Sequence, residues 1–211
     1  VIDVEPVPPR REPGRRDRKK QQTREALIAA ALHLVDERGL ERVTVEEISA
    51  AVDVSPRTFF NYFAGKDDPL IGDPLVEPQE MRDRLAAVPA ETPIIAALLL
   101  ALAPAIAQLQ ADREVWLIRM RVIERNPALL PTLMARGAAA EREFVAALAE
   151  RTATAPTSAF PQVVAAVTAA ALRVAMMRWC AADGVRPLTE LVHEAFGVLA
   201  TGLAAPTNEE V

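Results

Sequence analysis

Residues 44–66 read Thr44-Val-Glu-Glu-Ile-Ser-Ala-Ala-Val-Asp-Val-Ser-Pro-Arg-Thr-Phe-Phe-Asn-Tyr-Phe-Ala-Gly-Lys66, and they contain two helix starts eleven residues apart. In Thr44-Val45-Glu46-Glu47 the threonine hydroxyl accepts from the first turn while Glu47 reaches back, a capping box. In Ser55-Pro56 a hydroxyl stands at the N-cap and proline follows at the first helical position, where its missing N–H is not needed. The stretch therefore predicts a short helix to about Val52, a turn through Asp53-Val54, and another helix from Pro56 to about Phe63. Ile48 and Val52 face inward on the first, Ser49 is small enough for a close crossing, and Val54 plugs the turn. On the second, Phe59 and Phe63, four apart, form the inner face. Advancing about 100° per residue leaves Arg57, Thr58, Phe60 and Asn61 on the outer face, with Tyr62 at the border.

Upstream, Leu27, Ile28, Ala31, Leu32, Leu34 and Val35 keep helical spacing from about Arg18 to Arg38, and Gly39 follows where a helix ends. This brace and the two short helices make a helix-turn-helix. Its outer face suits a DNA major groove: Arg fits guanine, Asn fits adenine, and Thr or an aromatic edge meets a thymine methyl. Residues 10–24 add eight basic side chains against two acidic ones, enough to neutralise several phosphates. Lys66 is one of three lysines (Lys19, Lys20, Lys66) beside 21 arginines, 24 basic residues in all. It sits at a helix start, where a cation needs a negative neighbour, and a DNA phosphate is the expected one.

The rest of the 211-residue chain is alanine-rich, 51% apolar overall and 4% aromatic, which predicts an all-α fold. The fourth helix is expected to be short or interrupted by Pro69, Gly72, Pro74 and Pro78, resuming near Gln79 to Ala87. Four longer helices then follow at about 93–110, 112–124, 127–151 and 158–182, and a last one at about 187–203. One cysteine, Cys180, and two distant histidines, His33 and His193, exclude a disulfide scaffold and a Cys/His metal site. Nucleophile elbows, phosphate loops and dinucleotide fingerprints are missing from the sequence, so no catalytic residue and no cofactor is expected. The longest apolar stretch, Ile94 to Ala107, is broken by Pro104 and falls short of a membrane span. With no signal-peptide pattern, a cytoplasmic protein is expected.

Residues 44–66 resemble the TetR family of bacterial one-component transcriptional regulators, in the Thr-initiated helix, the small residue after Ile, the Val-Ser turn, the Thr-hydrophobic-aromatic run and the lysine opening the next helix. The resemblance implies DNA contacts by Thr58, Phe60, Asn61 and Tyr62, with Arg57 at the exposed end of the reading helix and Thr44 and Lys66 on flanking phosphates. Asp53 stands where the turn often has glycine, and Phe60 where tyrosine is commoner. The segments Trp116 to Leu130, Arg178 to Gly184 and Glu194 to Phe196 look like an actinobacterial TetR subgroup that includes mycofactocin-type regulators, associated with acyl-CoA ligands.

The implied organisation is a flexible basic arm (1–18), a DNA-binding domain (19–66), a ligand-binding and dimerisation domain (67–205) and a flexible tail (206–211). Ligand-site candidates are Trp116, Arg119, Met120, Phe144, Arg173, Met176 and Met177, with a buried ion pair the rival reading of Arg173. Homodimerisation is expected through the last two helices, by Val164, Val167, Ala171 and Val174 on one and Leu191, Ala195, Val198 and Leu199 on the other. The expected function is a dimeric repressor that binds a palindromic double-stranded operator and is released by a small apolar or acyl-CoA-type effector, without membrane partners. The alternative is a helical acyl- or lipid-binding protein with no specific DNA recognition.

Overall fold

The computed structural model describes residues 14–202 apart from Pro74, so most of the expected arm and tail lies outside the described residues. The chain is divided into two units, residues 1–69 and 70–211, and the described part is helical without strands.

The first unit holds α1 (Arg15–Arg38), a 3-10 turn (Leu40–Arg42), α2 (Val45–Ala50) and α3 (Pro56–Phe60). Helix α1 begins at Arg15, so residues 15–18, expected in the arm, are helical. They carry no apolar residue to mark a period, but Arg and Lys are good helix formers. Leu27, Ala31, Leu32 and Val35 are buried along α1, as are Leu40, Val43, Ile48 and Phe59 in the rest of the unit. Gly39 ends α1 with φ 82°, its N–H returning to Val35 O.

Asp53 takes φ 55° in the turn between α2 and α3, a left-handed conformation that costs a side-chain-bearing residue about 1 kcal/mol more than glycine. Asp53→Gly is expected to raise the unfolding free energy by about 0.5–1 kcal/mol, read as a higher midpoint in urea at an unchanged slope.

Helix α4 (Asp68–Ile71) is short, as expected. The second unit continues with α5 (Pro78–Ala87), α6 (Ile94–Ala111), α7 (Arg113–Arg125), a 3-10 turn (Pro127–Leu129), α8 (Leu130–Thr152), α9 (Ala159–Ala181) and α10 (Leu188–Ala200). Its core gathers Leu85, Leu98, Leu102, Leu148, Ala165, Trp179 and Phe196. Helix α6 runs on through Pro104 to 18 residues, and α6 and α9 are each long and apolar enough, by composition, to cross a membrane. The helix expected at about 93–110 is thus found, whereas the expectation that this apolar stretch falls short of a membrane span is corrected, because the helix continues past Pro104 with apolar residues on both sides. Both helices contribute buried side chains to the unit's own core.

Arginines tie these helices together. Pro104 supplies no N–H for Leu100 O, and beside that gap Arg84 Nη1 donates to Ala101 O at 3.1 Å. Arg151 on α8 caps the end of α5, donating to Leu85 O at 2.7 Å, Val88 O at 2.9 Å and Pro89 O at 2.8 Å. Arg178 on α9 pairs with Glu194 on α10 at 2.8 Å. Arg186 joins the same carboxylate, and the two guanidiniums hold Glu194 below the usual carboxylate range, hydrogen bonding to Arg186 being the larger cause.

Candidate DNA-binding face and ligand cavity

Thr44 and Ser55 aim the two short helices. Glu47 N–H donates to Thr44 Oγ1 at 3.2 Å and Thr44 N–H to Glu47 Oε2 at 3.0 Å, completing the capping box, while Arg38 holds the other carboxylate oxygen at 3.2 Å. Thr58 N–H donates to Ser55 Oγ at 3.1 Å, and the two hydroxyls share a hydrogen bond at 2.9 Å. Regular α3 stops at Phe60, three residues short of the expected end, although Phe63 N–H still bonds Phe59 O at 3.1 Å.

Phe59 is fully buried and stacks at 5.3 Å on Phe63, which is also buried. Neighbouring Phe60 is 56% exposed. Arg57 and Asn61 are exposed with it, while Thr58 and Tyr62 are half-buried. An apolar ring turned outward between a guanidinium and an amide is unfavourable in water and suits a surface that offers both methyl groups and hydrogen-bonding edges. A recess of about 380 Å³ joins Asn61 and Tyr62 to Lys20, Gln21 and Arg24 of α1. The basic side of α1 is thus continuous with the end of α3, a link the linear sequence does not reveal.

Thr44 is exposed at the start of α2. Lys66 is placed differently from the expectation. Its Nζ donates to Leu40 O at 2.9 Å and Val43 O at 3.2 Å, so the negative neighbour sought in DNA is supplied by carbonyls of the preceding loop. Only one of its three N–H groups remains for another acceptor.

In the second unit a cavity of about 790 Å³ opens between α5, α6, α8 and α9 and the loop before α5. Leu75, Val76, Met81, Leu102, Phe144 and Leu172 are among its walls, together with Thr168. That size and apolar lining suit a small molecule.

Of the seven candidate ligand residues only Phe144 lines this cavity. Trp116, Met120 and Met176 are half-buried, Trp116 and Met176 packing on the core, whereas Arg173 and Met177 are exposed on α9. Arg173 is therefore not the buried half of an ion pair. Arg119 is 6% exposed and stacks its guanidinium 4.6 Å from the centre of the Trp116 ring. It packs against Gly72, where φ is 78° and an added Cβ would lie 2.7 Å from Arg119 Nη1. Arg136 Nη1 donates to Gly72 O at 2.8 Å, so two arginines hold the loop that walls the cavity. Gly72→Ala is expected to lower stability by about 1–2 kcal/mol, because it adds a left-handed alanine and displaces a buried guanidinium. Thermal melts of the two proteins measure this.

A search for aromatics and cations finds Phe144 but misses Arg136 and Arg142, and half of the wall is Leu, Val, Ala and Gly, residue types that carry no ligand signal of their own. The available signal was Thr168, one hydroxyl inside the apolar run Val163 to Leu172.

On α9 and α10 the expected pairing faces are partly internal. Val164, Ala171 and Leu191 are buried in the unit's own core, while Val167, Ala195 and Leu199 are half-buried. The exposed apolar stripe runs through Val163, Ala166, Val174 and Met177 on α9 and Val198 on α10. In an alanine-rich helix both faces are apolar, so periodicity alone does not phase them.

An all-helical chain with an N-terminal helix-turn-helix and a cavity-bearing C-terminal unit is the architecture of a DNA-binding regulator. Residues 27–69 match the family described as bacterial regulatory proteins of the tetR family, and residues 92–204 match the MftR C-terminal domain. The chain belongs to the TetR family of bacterial transcriptional regulators. Over 174 residues it is 31% identical to the HTH-type transcriptional regulator TcmR of Streptomyces glaucescens, covering 79% of this chain and 77% of that protein. The fatty acid degradation regulator FadR of Bacillus halodurans shares the fold with a TM-score of 0.60 at 22% identity, covering 87% of this chain and 97% of that one. Thermus thermophilus FadR, solved with lauroyl-CoA, gives 0.50 at 21% identity over 89% and 98%.

Proposed function

We propose that this TetR-family regulator is a cytoplasmic, dimeric repressor that performs no catalysis. It binds a palindromic operator and is released when a small apolar or acyl-CoA-type effector enters the cavity of the C-terminal unit. The observation that carries the DNA-reading role is the split on α3: Phe59 is buried while Arg57, Phe60 and Asn61 point outward. Arg57, Thr58, Asn61 and Tyr62 supply the hydrogen-bonding groups, Phe60 an apolar contact, and Thr44, Lys66 and the basic side of α1 meet phosphates.

The effector role rests on the cavity, and its acyl-CoA form on the subgroup match and on the lauroyl-CoA bound by the Thermus relative. The exposed stripe on α9 and α10 pairs with its copy about a two-fold axis, which suits a two-fold operator. Release follows if the effector favours a conformation in which the two reading helices no longer match the half-site spacing.

Selection of bound genomic fragments, repeated with and without lauroyl-CoA or an apolar compound, tests the reading. A palindromic motif lost on adding one of these ligands is the expected result. Bound fragments with no common motif would reject specific recognition.

A further inference from the structure

Thr168 stands in the middle of α9, is 1% exposed, lines the cavity, and has a hydroxyl with no hydrogen-bond partner among the described residues. A helical threonine commonly donates to the carbonyl four residues back. Thr23 does so to Lys19 O at 3.0 Å and Thr152 to Leu148 O at 2.8 Å. Thr168 forms no such bond, and a buried hydroxyl left unused is unfavourable unless another group takes it up. Thr168 is also the one uncharged polar side chain among the described residues of the cavity wall.

Charge on the lining points the same way. Asp73, Glu77, Glu141 and Glu143 stand exposed on the lining beside Arg136 and Arg142, and Arg82 reaches Glu143 at 4.0 Å, so four carboxylates face three guanidiniums. Arg136 already donates to Gly72 O. A net negative surround disfavours the approach of anions, and a carboxylate or phosphate buried on this apolar wall would meet no buried cation among the lining residues, the guanidinium of Arg119 being stacked on Trp116 behind Gly72.

We propose that the cavity takes an uncharged apolar molecule carrying one hydrogen-bonding oxygen, and that Thr168 determines specificity by bonding that oxygen. This rests on the effector-binding reading above and narrows it away from acyl-CoA thioesters. The class extends to any uncharged lipophile of cavity size with a hydroxyl or carbonyl.

Titration of the full-length protein with 1-dodecanol, laurate and lauroyl-CoA, followed by tryptophan fluorescence, tests the assignment. Dodecanol is expected to bind at least tenfold more tightly than either anion. Thr168→Val keeps the shape of the side chain but removes its hydroxyl. It should weaken dodecanol about tenfold while raising the ligand-free Tm by about 2–4 °C, because an unsatisfied polar group is gone. Ala169→Trp, which fills the cavity from an exposed position on its wall, should abolish dodecanol binding. Equal or tighter binding of laurate or lauroyl-CoA, unchanged dodecanol affinity in Thr168→Val, or no dodecanol binding at all would overturn the proposal. Operator occupancy is read separately. Dodecanol bound with the operator still occupied supports the cavity assignment and rejects the effector reading, whereas release by lauroyl-CoA and not by dodecanol does the reverse.

Discussion

Val174→Glu combined with Met177→Glu is expected to yield a folded monomer whose operator affinity falls by about 10²–10⁴-fold. Both side chains are about half exposed in the single chain, Met177 at 56%, and their substitution should leave the protomer's stability within about 0.5 kcal/mol. In the proposed two-fold pair of α9 and α10 the same positions would be covered, and each new carboxylate would be buried without a partner. Loss of the pair separates the two reading heads, so the second half-site contact is no longer made at high effective concentration. Sedimentation gives the mass and anisotropy the affinity. A dimer persisting with both glutamates present would put the pairing face elsewhere. A monomer that binds as tightly as the parent would remove the need for two reading heads.

Asn61→Ala is expected to cost about 1–3 kcal/mol on the selected operator, a loss of about 5- to 150-fold, with little change on unrelated DNA. The side chain is exposed next to Phe60 and stabilises nothing within its own unit that the described hydrogen bonds reveal. Thr58→Ala should act in the same direction. Its hydroxyl also touches Ser55 Oγ, while the cap itself uses the Thr58 backbone N–H and survives. Lys66→Met makes a useful contrast. Losing the bonds to Leu40 O and Val43 O lowers stability and weakens all DNA alike. The slope of log affinity against log salt falls by about one only if the remaining N–H also meets a phosphate.

The helix starts in the first unit were legible because Thr44, Glu47, Ser55 and Pro56 are residue types whose capping chemistry is local. The positive φ of Asp53 was foreshadowed by the family resemblance, in which glycine often stands at that place in the turn. The outward turn of Phe60 followed from its place between the buried partners Phe59 and Phe63. Residues 15–18 were less legible, since helix formation there leaves no apolar trace. The C-terminal unit concealed more. Trp116 and Arg119 suggest a ligand site by type, but in the fold they stack on each other and brace Gly72. Met177 looks like a pocket residue and lies outside the cavity on the exposed face of α9. The cavity is made where small residues on α8 and α9, Gly137, Ala139, Ala140, Ala165 and Ala169, leave space against α5, α6 and the loop before α5, which depends on packing distances that no single helix encodes.

The most direct test of the DNA-reading face is selection from a random double-stranded pool by the parent and by a variant carrying Arg57→Ala, Thr58→Ala and Asn61→Ala together. Circular dichroism confirms that the variant is folded. The expected result is a two-fold symmetric motif enriched by the parent and absent from the variant, which keeps only salt-sensitive, sequence-independent binding. Enrichment of the same motif by the variant, with the parent's affinity, would contradict the assignment of α3 as the element that reads DNA.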